Sequence, residues 1–172
     1  MPEFDQLFVA SKGQPILYRD VEIKRIDRFP VHNGDILICS IEEAVKKEKY
    51  LQGFCIDITG HAEVDGKEFK KGKGIRLHFW DGYCPDGVRI KVFTKLDNVI
   101  IYNVCEIDVT YLSNDVDGSP LTRHSKTIDY CHNSAAMIVE EIEDGRRYRC
   151  SDVCANEKPF PFNDIVFTVK KM

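Results

Sequence analysis

The chain has 172 residues, 43% of them hydrophobic and 30% charged, with a formal net charge of −4. That length suits one domain over residues 1–172, and that composition excludes a disordered tail. No apolar run approaches the roughly 20 residues of a bilayer-crossing helix, and net acidity opposes nucleic acid as a general partner because phosphate attraction dominates such affinity.

The N-terminus, Met1 to Asp20, carries Glu3 and Asp5 and no basic residue before Lys12, so it lacks the positive start of a secretory signal. Ile16 to Ile26 follows as a strand candidate, alternating over its second half, with Asp35 to Cys39 as the next. A short helix is expected over residues 41–51. Ser40-Ile41-Glu42-Glu43 reads as a capping box, Ile41, Ala44 and Val45 share a face, and Gly53 lies where a helix would stop. Lys46-Lys47-Glu48-Lys49 would be its solvated side.

Further strands are expected at Phe54 to Val64, Ile75 to Trp80, Val88 to Thr94, Val99 to Val104, Ile107 to Leu112 and Ile165 to Lys170, all rich in β-branched and aromatic residues. Asp-Gly occurs five times, beginning at 65, 81, 86, 117 and 144, and suits tight turns with positive φ. Ser134 to Gly145 fits either a helix with Ala135, Ile138, Val139 and Ile142 as its stripe or part of a hairpin. The hairpin would pair Glu143 with Arg146 and Glu140 with Arg149. β-branched residues, and acids where a helix would end, favour the hairpin. Pro159 to Phe162 should pack two aromatics against the body of the fold. Many short strands with few helices predict a mostly β protein, an antiparallel β-sandwich of which a jelly roll is one form.

The seven cysteines stand at 39, 55, 84, 105, 131, 150 and 154. An odd count cannot pair completely within one chain, and most lie in apolar runs. They read as reduced thiols packed as small hydrophobes in a reducing compartment such as the cytoplasm. Cys150 and Cys154 stand four apart and Cys131 adjoins His132, a poor match to the paired knuckles of structural zinc, so no metal is expected. Asn114 to Ser119 superficially resembles part of a calcium loop, but the position for a bidentate Glu falls on His124 and a surface turn is the expectation.

The histidines at 32, 61, 78, 124 and 132 select no nucleophile among Cys84 and Cys131. The chain has no nucleophile elbow, no His-Glu-x-x-His and no phosphate-cradling glycine loop, so neither a catalytic residue nor a cofactor is assigned. The cluster Lys67, Lys70, Lys71, Lys73 and Arg76 reads as a solvated edge that discourages sheet-to-sheet aggregation.

The loop Trp80 to Gly87 stands out. It holds the only Trp, a Tyr and two acids between two strong strands, and Trp80, Asp81, Tyr83 and Asp86 are its candidate binding residues. The leading expectation is a non-enzymatic module that binds another protein. An inhibitor or immunity-type protein neutralising a basic partner is the form that net acidity favours. The alternatives are a ligand-binding or hydrolytic sandwich using the 80–87 loop, and a carbohydrate-binding module.

Overall fold

The computed structural model describes residues 3–131, 133–152 and 159–172. The expected β-sandwich is present, mostly strand with one short helix. One sheet has seven strands in the order β12 (Ala136–Ile142), β13 (Gly145–Ser151), β14 (Ile165–Lys171), β4 (Ile36–Ala44), β9 (Val88–Thr94), β6 (Gly60–Val64) and β7 (Lys67–Phe69). The other runs β11 (Pro120–Tyr130), β10 (Asn98–Asn114), β5 (Tyr50–Ile58), β8 (Ile75–Trp80), with β3 (Asp27–Pro30) also on β10. Every pairing is antiparallel.

Alternation places Leu37, Cys39, Ile90, Val92, Phe167 and Val169 of one sheet against Phe54, Ile56, Leu77, Phe79, Val99 and Ile101 of the other, all buried. Phe54 stacks on Phe167 at 4.1 Å and on Phe79 at 5.0 Å, and Phe167 stacks on Tyr148 at 4.8 Å, so one aromatic column joins the sheets. Tyr148 keeps its hydroxyl satisfied by donating to the buried Asp27 carboxylate at 2.7 Å.

The helix expected at 41–51 is not there. Residues 36–44 and 50–58 are β4 and β5, because Leu37, Cys39 and Ile41 continue one apolar face with period two. Ser40 Oγ accepts the Gly87 amide at 2.9 Å and caps nothing. The charged run becomes the β4–β5 connection, and Lys47 there is no solvated bystander. Its ammonium reaches Asp152 at 3.0 Å and Asp164 at 3.2 Å.

The helix lies instead at α1 (Glu3–Ala10), where Phe4 and Phe8 are one turn apart and buried. They form a second apolar cluster with Ile23, Ala136, Phe160 and Phe162, which is where the Pro-Phe-Pro-Phe segment places its aromatics.

Two expected strands are broken. Ile16 to Ile26 is the hairpin β1 (Ile16–Tyr18) and β2 (Val21–Ile23), turned by Arg19 and Asp20 at φ 50° and 65°. Phe54 to Val64 divides at Gly60, where the chain passes from one sheet to the other. With φ 146° and the Phe93 carbonyl oxygen 2.0 Å from where a Cβ would stand, only glycine fits.

The hairpins expected at two Asp-Gly sites form. Val64 pairs Lys67 across Asp65 and Gly66, both at positive φ. β12 pairs β13 with Ile142 opposite Gly145, so the turn falls on Glu143-Asp144, and Glu141, not Glu143, faces Arg146. Glu140 still reaches Arg149, diagonally, at 2.5 Å. Among the described residues no helix is long and apolar enough to cross a membrane.

Candidate functional site

The outer face of the five-stranded sheet is not a plain solvated surface. Residues directly opposite on paired strands share a face, and the registers build three rows. Trp80, Gly53, Val104 and Tyr130 form the first, His78, Cys55 and Tyr102 the second, and Arg76, Asp57, Ile100 and Arg28 the third.

The side chains interlock. Arg76 holds Asp57 through both carboxylate oxygens, at 2.9 and 3.2 Å, and its guanidinium lies over the rings of Tyr102 and Tyr130. The Tyr102 hydroxyl donates to the same carboxylate at 3.0 Å. His78 Nε2 and the Tyr130 hydroxyl share a hydrogen bond of 2.9 Å, and the His78 ring stacks on Trp80 at 5.8 Å. Gly53 makes this possible, since an added Cβ would stand 2.6 Å from Trp80 Cε3. The bare backbone of β5 lets the indole lie across it.

Burial dominates the electrostatics of this face. Burial, then Arg76, lowers His78 below the usual imidazole value, so it is neutral near pH 7. Its hydrogen-bond partner is the Tyr130 hydroxyl, and the Asp57 charge acts on it in the opposite sense to Arg76. Burial, then Cys55 and Asp57, drives Tyr102 well above the ordinary tyrosine range. The two thiols beneath are pushed up by burial, Cys55 to about 12 and Cys131 to about 11, so neither is a thiolate nucleophile. Cys84 is raised to about 11 in the same way. Cys39, Cys55, Cys84, Cys105, Cys131 and Cys150 are free thiols.

This face continues into an arm. β5 pairs β10 only as far as Tyr50 opposite Ile107, and beyond it residues 109–114 and 120–125 pair only with each other. The ribbon is exposed along most of β11, with Leu112 80% exposed and Val116 fully exposed at the tip. The stretch resembling a calcium loop is that tip. Asp117 Oδ1 accepts the Ser119 amide at 2.9 Å and the Ser119 hydroxyl, so its carboxylate closes a turn.

The loop expected to carry binding borders this face but is not its centre. Trp80 is half-buried and belongs to the sheet row. The Asp81 carboxylate meets the Lys46 ammonium, and its amide donates to the Gln52 carbonyl. Tyr83 is 79% exposed and Asp86 is exposed.

Of the pairs considered for metal, His132 and Cys154 lie outside the described residues. Among the described residues no group of three or more His, Cys, Asp or Glu side chains is arranged to hold a metal ion. The basic cluster lies on edge strand β7, the turn after it and β8, and Arg76 alone of its members enters the aromatic face. Sequence reading passed over Asp57, His78, Tyr102 and Tyr130 as site residues. The available signal was the run Arg76, His78, Trp80 at alternate positions of one strand, a polar-aromatic face where solvent-facing residues would ordinarily be simple charges. Comparison of the chain with family models, with curated proteins and with solved structures returns no match.

Proposed function

We propose that the protein is a non-enzymatic binding module that recognises another protein through the outer face of the five-stranded sheet and the β10–β11 arm. One observation carries the reading. The outer sheet face brings together Trp80, Tyr130 and Arg76, residue types that anchor protein interfaces, with His78 bonded to Tyr130 and stacked on Trp80 and Arg76 lying over Tyr130. Such preorganisation lowers the ordering cost of association. Burial raises the Cys55 and Cys131 thiols and the His78 imidazole hydrogen-bonds a tyrosine, which supports recognition over hydrolysis as the reading of this face.

Charge favours a basic partner. The segment Glu106 to Asp129 carries Glu106, Asp108, Asp115, Asp117 and Asp129 against only Arg123 and Lys126, so the arm holds most of the chain's acidic excess. An acidic ribbon reaching past the sandwich would steer a cationic surface onto the aromatic face.

The test is affinity capture from the native source with three baits: wild type, Arg76→Ala and Leu112→Asp. Leu112 is exposed, so its replacement should leave melting unchanged. Wild type should retain one stoichiometric protein that both variants lose, with retention falling as salt rises. Identical capture by all three baits would remove this face from recognition.

A further inference from the structure

A second site lies at the end of the sandwich where β5 passes into β6. There the turn after β3, the β5–β6 junction, the turn after β7 and the turn after β9 enclose an open cleft of about 1110 Å³. Its wall holds the ring pair His61 and Phe93, opposite each other on β6 and β9 and stacked at 4.6 Å with planes 13° apart. Lys73 and Lys95 line it from two different turns, with His32 and the half-exposed Leu96 beside them. Among the described residues neither lysine pairs with a carboxylate. Asp97 is the one carboxylate among the lining residues, and it already accepts the Asn98 side-chain amide at 2.7 Å.

The cleft is built rather than left over. Thr94 Oγ1 donates to the Thr59 carbonyl at 2.7 Å and accepts the Leu96 amide at 3.1 Å. Asn33 Oδ1 accepts the Thr94 amide at 3.0 Å, and the Val31 amide donates to the Asp97 carbonyl at 3.0 Å. These bonds tie the turn after β3, the β5–β6 junction and the turn after β9 to one another, so the wall that carries the ring pair is set before any ligand arrives.

A flat π surface, an apolar side and two unpaired ammonium groups ask for a planar ring joined to more than one negative charge. A phosphate monoester carries about −1.5 to −2 charges near pH 7, which suits two lysines better than a single carboxylate does. We propose that this cleft binds a nucleotide. The base stacks on the His61–Phe93 pair and the phosphate is taken by Lys73 and Lys95. The same base-and-phosphate unit could come from a free mononucleotide or from the 5′ end of a single-stranded nucleic acid.

Calorimetric titration with AMP, adenosine, inorganic phosphate and a short 5′-phosphorylated DNA oligonucleotide tests this. AMP should saturate, with adenosine and phosphate each at least about tenfold weaker, because neither supplies both halves of the contact. Binding of the oligonucleotide tighter than AMP assigns the site to strand ends, and equal or weaker binding assigns it to free nucleotides. The double variant Lys73→Ala, Lys95→Ala changes only exposed side chains and should keep the melting temperature while losing about tenfold or more in AMP affinity. His61→Ala should weaken AMP and leave phosphate unchanged. Failure of both AMP and the oligonucleotide to saturate, phosphate binding as well as AMP, or undiminished affinity in the double variant would each overturn the proposal.

Discussion

His78 shows how one side chain links the chemistry of the aromatic face to stability. It is held beside Arg76 and half-buried, and both burial and that cation disfavour its charged form. Its folded value therefore lies below the ordinary 6.5. A depressed histidine leaves stability intact above the unfolded value, and stability falls as pH drops from 6.5 through the folded value, because the unfolded chain binds the proton more readily. Denaturant melts taken downward from 6.5 should show this loss in wild type and a flatter profile in His78→Gln over the same window. Equal slopes would mean that His78 does not sense Arg76 or its burial. Lys47 makes a similar point with opposite polarity. Burial would lower it, yet the paired carboxylates Asp152 and Asp164 raise it above the usual lysine value. Asp164 is raised by burial, then by Asp152, so the ammonium between them relieves a repulsion that the fold itself creates.

Strand β5 is the element on which the face depends, and Gly53 is the position where the sequence permits it. An alanine there would bring its methyl 2.6 Å from both Trp80 Cε3 and the Phe79 carbonyl oxygen. Backbone cannot yield as a flexible side chain can, so the indole must lift or β8 must shift, and overpacking of this kind costs about 1–3 kcal/mol. We expect Gly53→Ala to lose stability in that range and to red-shift the emission of the only tryptophan as Trp80 moves into solvent. A variant with unchanged melting and emission would show that Trp80 does not lie across β5. None of this was readable from residue order. In the sequence Gly53 reads as a helix stop, because Ser40 to Glu43 satisfies a local capping pattern that tertiary pairing overrides. Strands such as β8, β9 and β14 are legible from period-two patterning and β-branched residues, while β3 and the polar β11 carry no such signal, and the two strands expected at 99–104 and 107–112 are one. The partner of each strand is not legible, and the aromatic face exists only because β5 lies between β8 and β10. Trp80 was found from composition alone, while Asp57 and Tyr102, 45 residues apart in sequence, meet only through register.

At the scale of the whole molecule two large apolar clusters stand out among the described residues, beside a small one of Cys105 and Ala135. The larger fills the space between the sheets and is closed by the aromatic column through Phe54 and Phe167. The smaller of the two gathers Phe4, Phe8, Phe160 and Phe162 with Ile23 and Ala136, and Tyr18 packs at its edge. Its rings lie 5.0 to 6.4 Å apart around Phe4, which is fully buried, so Phe4 is its centre. A few polar ties anchor this part to the sandwich. Asp5 accepts Arg25 at 2.6 Å and the Asn133 amide at 2.8 Å, and Lys24 and Met137 exchange backbone hydrogen bonds. α1 has eight residues, too short to persist without its packed face. Truncating Phe4 to Ala should therefore cost about 3–5 kcal/mol of the local interactions. The loss should be confined where the contacts are confined. Amide hydrogen exchange should show α1, β1 and β2 losing protection in Phe4→Ala, while the central strands β4, β5, β9 and β14 keep theirs. The outer face would then stay folded, and capture of a partner by the variant should match wild type. Uniform loss of protection across both groups of strands would instead make the two clusters one cooperative unit, with α1 as much a part of the sandwich as its central strands.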